Sequence, residues 1–242
     1  MFGLKHKLPE DFFQAACDVH CHLLPGVDDG FHTTEESLQA IMAMEERGVL
    51  KMILTPHFMK EYSANDRASI KDKFEMFKIE AAKVSRMELR LAAEYMMDAR
   101  FMEHFKQGFL TLDSGGSHVL CETSYMMYEP NVSEMIYEIM LEGYQPVIAH
   151  PERYEYASLG NYARWKDKGY KFQLNLLSLA GVYGKAALVK AHYLLEEGFY
   201  DYVGSDMHNL DRFMRHLSAI KLGRKDLDRL ARLYVNNEEL AR

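Results

Sequence analysis

The sequence has few cysteines and no long apolar run. Its three cysteines, Cys17, Cys21 and Cys121, stand at unpatterned spacings in apolar segments. Secreted disulfide frameworks use even sets of cysteines, so we expect reduced thiols and a cytoplasmic location. No apolar run reaches the roughly 20 residues of a membrane span, and the N-terminus lacks a signal-peptide core. We therefore expect no membrane insertion.

The chain also lacks an excess of positive charge. Lysine and arginine number 29 against 36 acidic residues, and the formal net charge is −7. Nucleic-acid-binding domains carry basic surfaces, so no general nucleic-acid partner is expected. A local basic or metal-bearing cleft remains compatible with binding a phosphate.

No linker rich in proline, glycine or serine interrupts the sequence, and no low-complexity tract or break in composition divides it. A length of 242 residues suits one α/β barrel, since such barrels run to about 250 residues. We predict one domain over residues 15–242, preceded by a short lead-in at 1–14.

Short apolar runs of the strand type alternate with helical patterns. This alternation favours a parallel sheet, and seven strands favour a distorted seven-stranded (β/α) TIM-like barrel over an open sheet. The predicted strands are 16–22, 49–55, 89–95, 118–122, 146–150, 171–175 and 201–205. The predicted helices are 34–47, 66–86, 98–106, 131–142, 159–168, 178–197, 210–221 and 226–235.

Helix start and stop signals support this division. Start signals stand at 33–36 and 131–134, where a polar residue precedes an acidic one by three positions. Several of the patterns stop at a glycine, as helix C-termini often do. These glycines are Gly48, Gly143, Gly169 and Gly198.

Metal-ligand-type residues stand at or just beyond the ends of the apolar runs. Carboxyl ends of barrel strands meet on one face, so these side chains are predicted to converge. A single such histidine is more often a hydrogen-bonded core residue, but buried charged groups are rare unless they are paired or bound to metal. The repeated placement therefore predicts a multinuclear metal site. The residues are His20, His22, His57, Glu94, Glu122, His150, Asp206 and His208.

Two neighbouring features have open interpretations. One carboxylate of Asp28-Asp29-Gly30 is either a further ligand or part of an ordinary Asp-Gly turn. Arg153, three residues after His150, either grips a phosphate or is a surface arginine paired with a nearby glutamate. Arg212 and Arg215 are weaker candidates for phosphate binding.

The ligand set combines imidazole and carboxylate without an obvious thiolate. Such a set suits Zn²⁺, Mn²⁺ or Fe²⁺ and argues against a structural cysteine-type zinc site. A carboxylate such as Glu94 can bridge two ions, and two ions about 3.5–4 Å apart form a clamp for phosphoryl or acyl hydrolysis. The pattern therefore indicates a hydrolase.

At the level of motifs, the sequence resembles the polymerase-and-histidinol-phosphatase (PHP) superfamily. More narrowly, the chain resembles the bacterial metal-dependent protein-tyrosine phosphatases of capsule and exopolysaccharide operons. The resemblance covers nearly the whole chain after about residue 15. It rests on the segments 18–30 (DVHCHLLPGVDDG), 55–57 (TPH), 93–94 (AE), 121–122 (CE), 146–153 (PVIAHPER), 175–185 (NLLSLAGVYGK) and 205–209 (SDMHN).

The resemblance implies a barrel of the PHP type and a centre of two or three metal ions, with manganese the usual metal and iron or zinc as alternatives. It places Arg153 at the phosphate, and it makes Asp29, rather than Asp28, a metal ligand. His57, as an acid that assists the leaving group, and Asp206 are further candidates for a catalytic role. The full set of implied ligands is His20, His22, Asp29, His57, Glu94, Glu122, His150, Asp206 and His208.

The implied reaction is hydrolysis of protein phosphotyrosine by metal-activated water, without a phosphoenzyme. The implied partner is a tyrosine-phosphorylated protein, in particular a bacterial tyrosine kinase, and a homo-oligomer is compatible with the sequence. A cysteine-dependent mechanism is disfavoured, because the positions six residues after the three cysteines hold Leu23, Val27 and Met127 instead of arginine.

Three other functions compete with this one. A histidinol-phosphate phosphatase, or another small-molecule PHP phosphatase, would have a nearly identical site. A metal-dependent amidohydrolase also uses His-x-His on a barrel strand, but commonly needs a carboxylated lysine, and Glu94 fills that place better here. A non-catalytic metal-loaded binding module leaves the ligand set and Arg153 without a purpose.

Overall fold

The computed structural model describes residues 4–242 and has a mixed α/β fold with curled parallel sheets. The first three residues of the predicted lead-in lie outside the described residues. In chain order the strands are β1 (His6–Lys7), β2 (Ala16–Cys21), β3 (Val49–Leu54), β4 (His57–Phe58), β5 (Glu88–Leu91), β6 (Glu94–Met96), β7 (His118–Glu122), β8 (Gln145–Ala149), β9 (Lys171–Asn175), β10 (Tyr202–Gly204) and β11 (Lys221–Leu222).

Two parallel sheets carry the fold, one with the order β2-β3-β5 and one with the order β10-β9-β8-β7-β6-β4. Strands β1 and β11 pair separately and antiparallel. All seven predicted strand segments are present. They form two sheets, because β3 and β5 each continue into a short strand that joins the larger sheet.

The change of sheet occurs at residues that interrupt the strand ladder. Pro56 has no N–H to donate and separates β3 from β4, while Ala92 and Ala93 separate β5 from β6. The chain remains connected across the break, since the Pro56 carbonyl accepts from the Glu94 backbone N–H at 3.1 Å. His57 and Glu94 therefore start the strands that follow the break, side by side in register.

The helices alternate with the strands, as the sequence predicts. They are α1 (Thr34–Glu46), α2 (Arg67–Ala81), α3 (Phe101–Gln107), α4 (Val132–Leu141), α5 (Leu159–Asp167), α6 (Gly184–Glu196), α7 (Leu210–Leu217) and α8 (Arg224–Leu240).

Most of the predicted start and stop signals are confirmed, although α2 ends before residue 86, α7 ends before residue 221 and α8 continues past residue 235. Thr33 and Glu36 form a capping box at the start of α1, and the four glycines predicted to end helices all have positive φ. Asn131 precedes α4 but makes no side-chain cap. The prediction of a helix from residue 178 is wrong at its start, because residues 176–180 form a 3₁₀ turn that ends at Gly181 with φ 76°.

The ends of the two sheets meet where β2 lies beside β10, which we call the β2/β10 junction. Cys21 forms a parallel bridge with Met207, and the His20 carbonyl accepts from the Asp206 backbone N–H at 2.8 Å. Lower in the junction, Asp18 Oδ1 accepts from the Ser205 backbone N–H at 2.9 Å.

The lowest part of the junction is completed by a side chain from α8. The fully buried amide of Asn237 donates from Nδ2 to the carbonyls of Cys17 and Val203, at 2.8 and 2.6 Å. Its Oδ1 accepts from the Val203 backbone N–H at 3.2 Å. One side chain therefore satisfies three backbone groups that have no strand partner there.

The apolar core fills the space around and between the sheets. Its inner cluster includes Val19, Ile53, Leu120 and Val147, one from each of four parallel strands. The three cysteines are buried free thiols. Among residues 4–242, none of the helices has the length and the apolar character needed to cross a membrane.

Replacing Asn237 with leucine should lower the free energy of unfolding by about 2–5 kcal/mol, because buried backbone groups lose their partners at about 1–3 kcal/mol each. Urea unfolding followed by circular dichroism measures the effect. Val235→Ala is the matched control on the same helix, 58% exposed, and should change stability by less than about 0.5 kcal/mol. Equal stability of both variants would contradict the role given to Asn237.

Candidate metal centre

The predicted ligands converge at the carboxyl ends of the parallel strands. Of these nine residues, seven are buried, whereas Asp29 is exposed and His208 is intermediate. They come from segments as far apart in sequence as β2 and the residues that follow β10. The structure forms three overlapping groups whose candidate ligand atoms lie within 4.8 Å of one another: His20, His22, Glu94 and Asp206; His22, Asp29, His57 and His208; and His57, Glu94 and Glu122.

Glu94 lies at the centre of the constellation and is completely buried. Its Oε2 lies 3.2 Å from His20 Nε2, 3.4 Å from His22 Nε2 and 3.3 Å from His57 Nδ1. Its Oε1 lies 2.9 Å from His150 Nε2. One carboxylate thus faces four imidazoles.

Asp206 is the second carboxylate of the first group. Its Oδ1 lies 3.4 Å from the Nε2 atoms of both His20 and His22, and those two nitrogens are 3.1 Å apart. Because His20 and His22 alternate with Cys21 along the strand, both rings point to the same side.

The second group is more open to solvent. Asp29 Oδ1 lies 3.5 Å from His57 Nε2 and 3.6 Å from His208 Nε2, and the Asp29 side chain is 60% exposed. Tyr62 stacks on the His57 ring with the centroids 6.0 Å apart. His57 also belongs to the third group, where its Nδ1 lies 3.0 Å from Glu122 Oε1.

Two polar side chains hold the paired histidines from behind. Asp28 Oδ2 lies 2.9 Å from His22 Nδ1 and accepts from the His57 backbone N–H at 3.0 Å. Gln173 Oε1 lies 2.9 Å from His20 Nδ1. Partners of this kind fix the ring orientation of a metal-binding histidine. The two aspartates of the Asp-Asp-Gly turn therefore differ: Asp29 faces the open group, and Asp28 supports His22.

The backbone around the site is tightly constrained. A Cβ at Gly204 would lie 2.5 Å from His20 Cβ, and one at Gly30 would lie 2.2 Å from the His22 carbonyl oxygen. His150 and Asp206 adopt positive φ values of 34° and 50°. Such conformations are costly for residues other than glycine and concentrate at functional sites.

The electrostatics of the site favour bound positive charge. Burial alone lowers the pKa of His20, but the carboxylates of Glu94 and Asp206 outweigh it and raise this pKa to about 9. Burial raises the pKa of both carboxyls, yet neighbouring histidines hold the pKa of Glu94 and of Asp206 well below the usual range. The carboxylates therefore stay ionised and attract either protons or cations to the imidazoles.

The donor set fits divalent metal ions. Buried ligand atoms are left without a hydrogen-bond partner at His57 Nδ1 and Glu122 Oε1, although buried polar atoms are nearly always satisfied. Imidazole nitrogens and carboxylate oxygens converge in the three groups. These His/Asp/Glu groups are able to bind metal.

Arg153 lies beside the metal-ligand groups, on the 3₁₀ turn that follows His150. Its Nη1 donates to Asp206 Oδ2 at 2.9 Å. Arg153 is therefore neither a surface arginine nor the partner of a nearby glutamate. Its guanidinium lies between the rings of Tyr125 and Tyr183. Arg153 lines a cleft together with Asp29, Tyr183, His208, Asn209 and Arg212. Arg215 is not part of this lining.

Sequence reasoning missed several supporting residues. Gln173, Asn175 and Tyr183 carry no ligand-type signal, and their role depends on strands that are distant in sequence. Asn175 Nδ2 donates to Asp206 Oδ2 and also to Tyr183 OH. Tyr154 is another supporting residue: it is fully buried, and its hydroxyl donates to the Ala149 carbonyl.

Comparison with known proteins agrees with the geometry. The chain is 29% identical over 204 residues to the tyrosine-protein phosphatase YwqE of Bacillus subtilis, covering 80% of this chain and 77% of YwqE. It is 27% identical over 237 residues to the tyrosine-protein phosphatase CpsB of Streptococcus agalactiae, covering 92% of this chain and 96% of CpsB.

Solved structures with the same fold are also known. A structure described as that of YwqE from Bacillus subtilis and CpsB from Streptococcus pneumoniae, unique metal-dependent tyrosine phosphatases, has a TM-score of 0.77 at 24% identity and covers 93% of each chain. The phosphotriesterase homology protein from Escherichia coli, complexed with phosphate in its active site, has a TM-score of 0.58 at 13% identity over 94% of this chain and 99% of its own.

A family model also matches most of the chain. It spans residues 16–237, which contain every predicted ligand and Arg153, and the model is that of capsular polysaccharide synthesis proteins. The resemblance seen in the motifs is thereby confirmed. The chain belongs to the CpsB/CapC family.

Proposed function

We propose that this chain is a metal-dependent protein-tyrosine phosphatase that acts in capsular or exopolysaccharide synthesis. The observation that carries the proposal is that Arg153 lines one cleft with Asp29, Asp206 and His208, which belong to two of the three overlapping metal-ligand groups. The relatives named tyrosine-protein phosphatase match over most of their length, and they favour this activity over a histidinol-phosphate phosphatase.

The proposed cofactor is two or three divalent ions, with manganese first and iron or zinc as alternatives. Ions bound there would supply positive charge for the phosphoryl group and an activated water for its hydrolysis. The residues that would hold them are His20, His22, Asp29, His57, Glu94, Glu122, His150, Asp206 and His208.

Arg153 is the proposed phosphate-binding group of the protein itself. Its planar guanidinium suits two parallel hydrogen bonds to phosphate oxygens, and it stabilises the charge that the equatorial oxygens carry during transfer. Arg212 lines the same cleft and supplies a second positive charge. Tyrosine is a suitable leaving group, since its pKa of about 10 requires less protonation than an alkoxide does.

For His57, the geometry supports the role of ligand better than that of acid. Its Nδ1 faces Glu122 and Glu94, and its Nε2 faces Asp29. Both ring nitrogens are thus directed at carboxylates of the metal-ligand groups. Asp206 similarly serves as a ligand, and its contact with Arg153 links the ligand set to the phosphate site.

We further propose a tyrosine-phosphorylated protein as the substrate, with a bacterial tyrosine kinase as the physiological partner. Residues 15–242 would form one domain located in the cytoplasm. The two sheets would together act as a single distorted seven-stranded barrel of the PHP type. The backbone bridge at the β2/β10 junction supports this closure.

Removal of metal should abolish hydrolysis of a phosphotyrosine peptide, and Mn²⁺ should restore it. The physical reason is that the buried carboxylates and imidazoles alone supply neither the charge nor the activated water. The measurement is phosphate release by chelator-treated protein, before and after addition of Mn²⁺. Histidinol phosphate, tested at the same concentration, should be turned over at least about tenfold more slowly, a difference of about 1.4 kcal/mol in barrier.

Preference for histidinol phosphate would replace the proposed substrate and leave the metal centre intact. Absence of turnover on both compounds, with metal binding demonstrated by calorimetry, would refute the phosphatase proposal altogether.

The substitution Asp28→Asn should weaken Mn²⁺ binding by about 10–100-fold, because His22 loses the charged partner that orients its ring. Isothermal titration calorimetry of the metal-free protein measures the affinity directly. Asp72→Asn on the exposed side of α2 is the control and should bind Mn²⁺ like the unmodified chain. Unchanged affinity in the Asp28 variant would show that this aspartate supports only the turn.

A further inference from the structure

We propose that Tyr125 and Tyr183 are positioning residues that hold the Arg153 guanidinium in the orientation needed to bind a phosphoryl group. The two rings are called the tyrosine clamp below. The inference rests on the proposed function for its biological meaning, but it concerns anion binding, which is measurable without turnover.

The two rings of the clamp lie at nearly equal distances from the guanidinium. The central carbon of Arg153 lies 4.3 Å from the ring centroid of Tyr125 and 4.2 Å from that of Tyr183. Tyr125 follows β7, and Tyr183 directly precedes α6. The arginine is therefore held by two segments other than its own, at distances typical of strong cation–π contacts.

Each phenol of the clamp is also tied to a candidate metal ligand. Tyr125 OH donates to Glu122 Oε2 at 3.3 Å. Tyr183 OH accepts at 3.0 Å from Asn175 Nδ2, which also donates to Asp206 Oδ2. The rings are thus fixed relative to the groups that would hold the metal ions.

The clamp restricts the orientation in which the Arg153 guanidinium can bind an anion. Two rings contact the guanidinium and its Nη1 donates to Asp206, so an anion in the cleft would be bound by the remaining N–H groups. An unclamped arginine would lose considerable side-chain freedom on binding, whereas a clamped one has lost it already. Two parallel hydrogen bonds to phosphate oxygens require such a fixed plane.

A purely structural role for the two tyrosines makes a different prediction. If the rings served only as packing, their loss would lower stability without selectively weakening anion binding. Ring and hydroxyl can be separated, because phenylalanine keeps the stacking face and leucine removes it. The matched packing control is Tyr156→Leu, because the ring of Tyr156 stacks on Tyr154 instead of on Arg153.

The first test is the affinity of the Mn²⁺-loaded protein for inorganic phosphate, measured by calorimetry. Tyr183→Leu and Tyr125→Leu should each weaken phosphate binding by about tenfold, as expected for loss of a desolvated cation–π contact. The corresponding phenylalanine variants should lose less than about threefold. Circular dichroism and Mn²⁺ affinity establish that each variant is folded and loaded.

The second test is chemical rescue of Arg153→Gly with millimolar guanidinium chloride, with sodium chloride as the salt control. We expect guanidinium to enter the space between the rings and to restore phosphate binding. Rescue should persist in R153G/Y183F and be lost in R153G/Y183L.

Three results would overturn the proposal. They are equal phosphate affinity in the leucine and phenylalanine variants, a loss in Tyr156→Leu as large as that in the clamp variants, and no dependence of rescue on the ring at position 183. If phosphate affinity falls as expected but the unmodified protein does not hydrolyse a phosphotyrosine peptide, the clamp stands and the proposed function fails.

Discussion

The burial of Glu94 among four histidines is the constraint on which the rest of the structure depends. A fully buried carboxylate is costly unless positive charge compensates it. Here the compensation comes from four histidines on three different segments of the chain, namely His20 and His22, His57, and His150. Each segment must therefore end at the same point in space. The breaks in the strand ladder, the glycines at tight approaches and the left-handed residues follow from that requirement.

The same requirement explains why the sheet is divided. After β3 and β5 the chain changes its neighbours, and these changes bring His57 and Glu94 into register beside each other. The β2/β10 junction is held by backbone contacts next to the metal-ligand groups and by side-chain hydrogen bonds farther from them. Asn237 from α8 and Asp18 from β2 supply hydrogen bonds that a continuous ladder would have provided. At this junction, side-chain hydrogen bonds thus replace regular strand pairing beside the candidate metal centre.

The sequence predicted the strand segments, the helices and the convergence of the ligands, because these depend on local periodicity and on a ligand residue at each strand end. It did not predict the division into two sheets, since the partner of a strand is decided by packing between distant segments. Nor did local sequence distinguish Asp28 from Asp29, whose roles differ only through contacts with His22 and His57. Gln173 and Tyr183 carry no chemical signal of their own, and only their three-dimensional neighbours reveal what they support.

One consequence follows from the position of Asp206 between two kinds of cation. Its Oδ1 faces His20 and His22, while its Oδ2 accepts from Arg153. Whatever neutralises one oxygen changes how strongly the other attracts its partner. Under the proposed function, metal bound at the ligand groups and an anion bound at Arg153 would therefore be thermodynamically linked, each changing the affinity of the other by the same factor. Phosphate concentration would then affect how strongly the protein holds its metal, and metal supply would affect how strongly it holds phosphate.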